Sequence, residues 1–372
     1  MKKAIKFLMA FILMVTAILL IPKASNAETR EVTDESSLIS EISSANPGDT
    51  ISIQDNITIT QPIVIAKELI IDGNGHRLTG SSDWTSTSGN QTMFTAQLSD
   101  AKLTLKDIYL VNGPKYGVQA YDGATVILDN VSITDFKYGG VLVNGGNLEV
   151  RDLHLGRNGT GDNNGIEIDK GAAATHNPTL TMNGVLLSDQ GENVVRIADN
   201  GNLTEFTITN TETTTNKVLV AGDRVLFTDE NNNVLSETTL PESTTANTGA
   251  EQVVITLISN DNINKIAINK GETITEDLLK SHITLEANYQ IEGYFTDEDY
   301  TTAFDFTSPV NTDTTIYAKI SEIPATPEPE PEQPPVEEEK DETPKTGVES
   351  YIGLAILALI VATAGIAYMK RK

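Results

Sequence analysis

Residues 103–187 carry four copies of one pattern: LTLKDIYL (103–110), VILDNVSI (126–133), LEVRDLHL (148–155) and LTMNGVLL (180–187). Each copy alternates apolar and other residues, breaks at a small or polar turn residue, then alternates again. Period-2 alternation marks a strand with one buried face, so each copy is a strand, a sharp corner and a second strand. A shorter element precedes each later copy: YGVQAYDG from Tyr116, YGGVLVNGG from Tyr138 and NGIEIDKG from Asn164. Tyr116 to Tyr138 and Val131 to Leu153 both span 22 positions. That period, with no helical pattern inside it, predicts a mainly β, parallel solenoid with three short strands per coil. A single coil buries too little to hold itself, whereas coils stacked at ~4.8 Å share ladder hydrogen bonds and one core.

The flanks predict caps and an exit. Residues 34–45 (DESSLISEISSA) read as a helix capped by Asp34 or Ser36, with Leu38, Ile42 and Ala45 on one face and Pro47-Gly48 at its end. Such a helix suits the open end of a solenoid, where the first coil's interior would otherwise meet water. Strands follow at ISI (51–53), ITIT (57–60), PIVIA (62–66) and ELIIDGNGHRLTG (68–80). This succession, helix then NPGDTISI then ELIIDGNGHRLTG, resembles the start of the pectate-lyase-like right-handed parallel β-helix superfamily over about residues 32–235. The resemblance implies the fold and leaves activity open, because lyases, hydrolases and non-catalytic adhesive domains share it. After position 193 the pattern weakens through VVRIA, NLTEFTITN and KVLVAGDRVLF, and the β-helix domain is taken as 28–240.

Aligning coils by their inward residues stacks Gln119, Leu142, Glu167 and Arg196 in one outward row, with Tyr121, Asn144, Asp169 and Ala198 in the next. The best polar patch is Asn144, Glu167, Asp169 and Arg196, with Asp162 on a neighbouring loop. Glu167, Asp169 and Arg196 are the catalytic candidates, and the same patch is the binding candidate for a cation or a sugar. The structural reading, which is preferred, is an ordinary cross-strand ion pair between Glu167 and Arg196 on a solvated face. His76, among glycines, reads as a turn residue. Trp84, in the polar excursion 81–91, either faces a ligand or shields one side of the coil. Asp107, Asn130 and Asp152 read as turn-formers bonding the local backbone. There is no His/Cys cluster with metal-ligand spacing, no nucleophile elbow and no phosphate loop.

The ends place the protein. Lys2, Lys3 and Lys6 precede an apolar run from Phe7 to Ile21, and Ser25-Asn26-Ala27 is a small-residue cleavage site, so 1–27 reads as a secretory signal peptide cut after Ala27. There is no cysteine, so the exported chain relies on its core rather than on disulfides. Removing 1–27, which holds four lysines and no acid, takes the net charge from −26 to −30. That balance argues against nucleic acid and anionic lipid as partners and leaves cationic partners or bound cations, calcium among them, open.

Beyond a polar joint at 243–250 comes a compact unit. It has strands VVITL and INKIAI, a helix over 273–280 and a closing strand TTIYAKI (314–320). Its tail resembles the Listeria–Bacteroides repeat, a small β-grasp-like module of bacterial surface proteins, over 252–320. That family has a Trp-Tyr pair where this chain has Tyr294-Phe295. Residues 321–342 are acidic and proline-rich, an unfolded stalk of ~3.1 Å per residue where polyproline II forms.

At 343–372 stand Thr343-Pro344-Lys345-Thr346-Gly347, an apolar run over 351–369 long enough to span a bilayer, and Lys370-Arg371-Lys372. This order resembles the LPxTG cell-wall sorting signal of Gram-positive bacteria, with Thr343 where leucine is usual. The resemblance implies that sortase cuts after Thr346 and joins it to peptidoglycan, after transient membrane insertion through 351–369. The expected protein is therefore extracellular and wall-anchored, a sortase substrate presenting a β-helix for adhesion to a glycan or a host or matrix protein. It needs no cofactor. The alternative is a wall-anchored polysaccharide lyase or glycoside hydrolase using the Glu167 patch.

Overall fold

Two all-parallel sheets carry most of the chain in the computed structural model, which describes residues 27–85, 89–159, 164–190 and 194–324. Positions 1–26, Asp162, the stalk beyond 324, the sorting signal and the apolar run 351–369 lie outside the described residues; Ala27 is exposed. The long sheet runs Thr29–Val32, Thr50–Ile53, Glu68–Asp72, Lys102–Gly113, Thr125–Phe136, Asn147–Gly156, Thr179–Asp189, Glu205–Asn210 and Thr245–Asn247, with Ile57–Ile59 and Arg77–Gly80 alongside. The short sheet runs Ile63–Ile65, Phe94–Gln97, Tyr116–Tyr121, Gly139–Asn144, Asn164–Asp169 and Val195–Ile197. From Ile63 to Asn210 the chain alternates between the two sheets, an arrangement consistent with a parallel β-helix.

The repeat explains the core. Leu103, Val126, Leu148 and Leu180 are register partners, and so are Val118, Val141, Ile166 and Val195 on the short sheet. All eight are buried in one continuous cluster, so each coil adds a layer to the same interior. At the corners Asp107 and Asn130 take φ of 48° and 55°, a left-handed conformation that short polar side chains tolerate. The expected bond to local backbone is corrected: Asn130 Nδ2 donates to Asp107 Oδ1 at 2.6 Å, so the side chains tie one coil to the next.

The fourth copy departs from the alignment. Its pattern points Val185 and Leu187 inward, but Leu186 is buried and Leu187 is 54% exposed. Val150 pairs with Met182 while Asp152 pairs with Val185, so the fourth strand holds one extra residue and every later side chain changes face. Gly184 sits in that bulge.

The N-terminal helix spans Glu35–Ser44, capped by Asp34, whose Oδ1 accepts from Ser37 N at 2.8 Å. Leu38, Ile42 and Ala45 are buried against the first coils. Arg30 fastens it, donating to Asp49 and Glu41 at 3.0 Å each, and Lys67 Nζ donates to the Ala45 carbonyl at 2.6 Å. The strand Thr29–Val32, which the sequence reading left out, pairs with Thr50–Ile53 beneath this helix.

Two expectations at the far end are corrected. Residues 217–235 are not weak coils: Lys217–Ala221, Arg224–Thr228 and Val234–Thr239 form an antiparallel meander. Gly222-Asp223, with Gly222 at φ 60°, makes the two-residue turn that antiparallel strands require. Nor is 243–250 only a joint, since Thr245–Asn247 returns to pair with Glu205–Asn210. Val218, Val225 and Phe227 join the main core, while Ala221 and Leu226 pack on Val254 and Ala267 of the following module. Glu237 receives Lys265 at 2.7 Å and Arg224 at 3.1 Å, so the meander and the module are fastened together.

The module itself is a mixed sheet, in order Asn262–Asn269, Gln252–Ser259, Thr314–Glu322 and Tyr289–Phe295. Its helix is shorter than expected, Glu276–Ser281, because the Thr275 hydroxyl accepts from Leu278 N and begins it there. Tyr294 fills the core beside Phe306, with ring centroids 5.7 Å apart, and its hydroxyl has no partner among the described residues. Burial, then the charges of Glu276 and Asp277, push this phenol up to about 12. The folded module therefore favours the protonated form. Its stability is full below the ordinary tyrosine value of ~10 and is lost as pH rises through about 12. Tyr294→Phe should remove that alkaline loss and leave neutral-pH stability equal or higher by up to about 1 kcal/mol. Denaturant midpoints at pH 8 and 11 read this, and an unchanged alkaline loss in the variant would refute it.

Candidate functional site

The outward residues of the short sheet stand in the expected rows. Thr95, Gln119, Leu142, Glu167 and Arg196 are register partners, and Gln97, Tyr121, Asn144 and Asp169 form the next row. Ala198 continues it through a backbone bond to Ile168 but is buried. The inward residues between them fill the core, and alternation leaves these rows on one outer face.

Glu167 is the centre of the patch and is only 8% exposed. Its Oε1 accepts from Arg196 Nη1 at 2.9 Å and its Oε2 from the Tyr116 hydroxyl at 2.5 Å. Tyr116 lies two coils away, and its register partner on the intervening coil is Gly139. A Cβ at Gly139 would lie 2.8 Å from Tyr116 Cε1, so the missing side chain lets the ring cross the strand and reach Glu167. Burial first, then the charge on Glu167, hold the Tyr116 phenol above the usual tyrosine range, which keeps it a donor.

Asp169 accepts from Lys170 N at 2.6 Å and from Asn200 Nδ2, and Asn144 Oδ1 accepts from Gly171 N at 2.8 Å. The structure thus brings Asn144, Glu167, Asp169 and Arg196 onto one face, while Asp162 is outside the described residues.

This arrangement holds its carboxylates in place. A glycosidase pairs a proton-donating acid with a base or nucleophile; here both Glu167 oxygens accept bonds, while the bonds to Asp169 all end on its Oδ1. Hard cations take several free oxygen ligands, and no group of three His, Cys, Asp or Glu is placed to hold a metal among the described residues.

Other candidates resolve structurally. His76 sits in a turn, its backbone N–H donating to Gly73 O at 2.7 Å. Trp84 is 8% exposed in the main core and donates to Gln91 Oε1 at 2.7 Å, so it shields the coil. On the long sheet Ser132, His154 and Asp189 line up, Oγ to Nδ1 at 3.3 Å and Nε2 to Oδ2 at 3.0 Å. The Asp189 side chain is 70% exposed, which makes this a solvated surface pair.

Sequence reasoning missed Tyr116 and Asn90. Tyr116 carried only a partial signal: the 22-residue spacing sets Tyr138 opposite it, and the strand register shifts its partner by one to Gly139. Asn90 carried none, because its contacts come from the excursion 81–91 folding back over the short sheet. No protein-family model matches the chain, and no curated protein matches it.

Proposed function

We propose that this chain is an exported, wall-anchored surface protein that works by binding. In this reading the stack is a right-handed β-helix of the pectate-lyase-like kind. The module is a β-grasp unit of the Listeria–Bacteroides type, and sortase joins Thr346 to peptidoglycan after transient insertion of 351–369. The outer face of the short sheet meets a glycan or a host or matrix protein. One observation carries this: both oxygens of Glu167 are held, one by Arg196 and one by Tyr116. Polar groups fixed before a ligand arrives lower the entropic cost of binding, whereas acid–base catalysis needs a group free to take a proton. A net charge of −26 adds an argument against nucleic acid.

The test is turnover. The full chain, incubated with acidic and neutral polysaccharides with and without calcium, should release neither unsaturated nor reducing ends. Release that disappears in Glu167→Gln and Asp169→Asn would establish a lyase or hydrolase instead. Anchoring has its own measurement. The protein should stay in the detergent-washed wall fraction, and Thr346→Ala should lose nearly all of it; a variant retained in the wall would overturn the sortase assignment.

A further inference from the structure

Beside the Glu167 patch a cleft of about 350 Å³ opens where the end of the 81–91 excursion meets the outward rows of the short sheet. That volume is within the ~300–1,000 Å³ of small-molecule sites. We infer that this cleft takes a neutral, hydroxyl-rich sugar residue of a polysaccharide. The inference rests on the surface-binding reading above and names its ligand class.

The first ground is an unused donor. Gln119 is 6% exposed and lines the cleft. Its Oε1 accepts from Asn90 Nδ2 at 2.7 Å, and the same Asn90 nitrogen donates to Thr95 Oγ1 at 2.8 Å. The Gln119 Nε2 keeps no partner among the described residues. Asn90 thus fixes which way the Gln119 amide points, with its N–H groups left for a ligand oxygen. A buried amide donor left unpaired is costly, so an apolar ligand would gain little here.

The rim supplies the second ground. Gln97 and Tyr121 are register neighbours on adjacent coils, and neither side chain has a partner among the described residues. Their amide and phenol both donate and accept, as sugar hydroxyls do, and the Tyr116 and Tyr121 rings offer apolar faces to the C–H side of a pyranose.

Charge decides the class. The one charged side chain lining the cleft among the described residues is Lys115. Its ammonium donates to Gly89 O at 2.9 Å and stands 5.9 Å from the Tyr138 ring centroid, so it is already engaged. Among the described residues no carboxylate lines the cleft to bridge a uronate through calcium. A cleft whose one charge, Lys115, is already bonded to a carbonyl and whose other polar groups are neutral amides, hydroxyls and phenols matches a neutral ring.

The test is titration calorimetry on the full chain in a sugar-free non-ionic detergent. The probes are neutral hexose oligosaccharides, N-acetylated amino-sugar oligosaccharides and oligouronates with and without calcium. Neutral probes should bind with affinity insensitive to salt. Tyr121→Ala and Gln97→Ala at the rim, and Gln119→Leu inside, should each weaken binding about tenfold, while His154→Ala on the other face should not. Tighter binding of oligouronates, a calcium requirement or steep loss with salt would overturn the neutral class. No binding by any saccharide would overturn the inference outright. The wall-fraction measurement reports separately on the surface-protein reading, so the two failures are distinguishable.

Discussion

Gly184→Ala should destabilise the stack by about 3 kcal/mol or more, the upper range of overpacking. A Cβ at this position would lie 1.5 Å from the Arg151 carbonyl oxygen, and no rotamer change can move a backbone atom aside. The strand would have to give up the bulge that lets Val150 pair with Met182 and Asp152 with Val185. The control is Gly201→Ala. Gly201 has φ 74° with nothing within 4 Å of its built Cβ, so only the left-handed backbone penalty of ~1–2 kcal/mol applies. Denaturant midpoints at constant m-value compare the two. Equal, small losses would mean that the fourth strand keeps the alignment read from the repeat.

The second large effect is expected at Asn158, which is fully buried. Its Oδ1 accepts from Phe136 N at 3.1 Å, and its Nδ2 donates to Ile133 O at 2.8 Å and to Gln190 Oε1 at 2.9 Å. Gln190 returns the contact, donating Nε2 to Asn158 O at 2.9 Å. Three coils are thereby joined at one corner, where their strands turn and the ladder stops. Asn158→Leu keeps the branched shape, with bulkier methyl groups, but strands the Phe136 N–H and the Ile133 carbonyl inside the protein, at ~1–3 kcal/mol each and about 3–5 kcal/mol together. Hydrogen exchange gives a local readout, since the Phe136 amide should lose protection more than amides in the first coils. Uniform loss across the stack, or no loss, would show that the amide clamp is not what closes this corner.

How far each feature was legible follows from where its partners lie. The outward row Gln119, Leu142, Glu167 and Arg196 could be read in advance because successive coils repeat with little change in length. Matching their turns is then enough to match their side chains. The extra residue at Gly184 broke this method, since a bulge shows only against the strand it faces. The meander at 217–239 did carry a turn signal in Gly222-Asp223, but apolar alternation fits parallel and antiparallel strands equally.

By itself the sequence determined that the middle of the chain is parallel β structure with a shared interior, that a capped helix precedes it, and which polar residues share the outer face. Those features depend on period and spacing, which a linear chain carries in full. Tertiary structure alone decided how the face is built: that Tyr116 crosses over Gly139 to hold Glu167, that Asn90 sets the Gln119 amide, and that Trp84 turns inward. Each of these depends on atoms brought together from separate coils or from a loop folding back, and hydrogen bonds of that kind are chosen by distance in space.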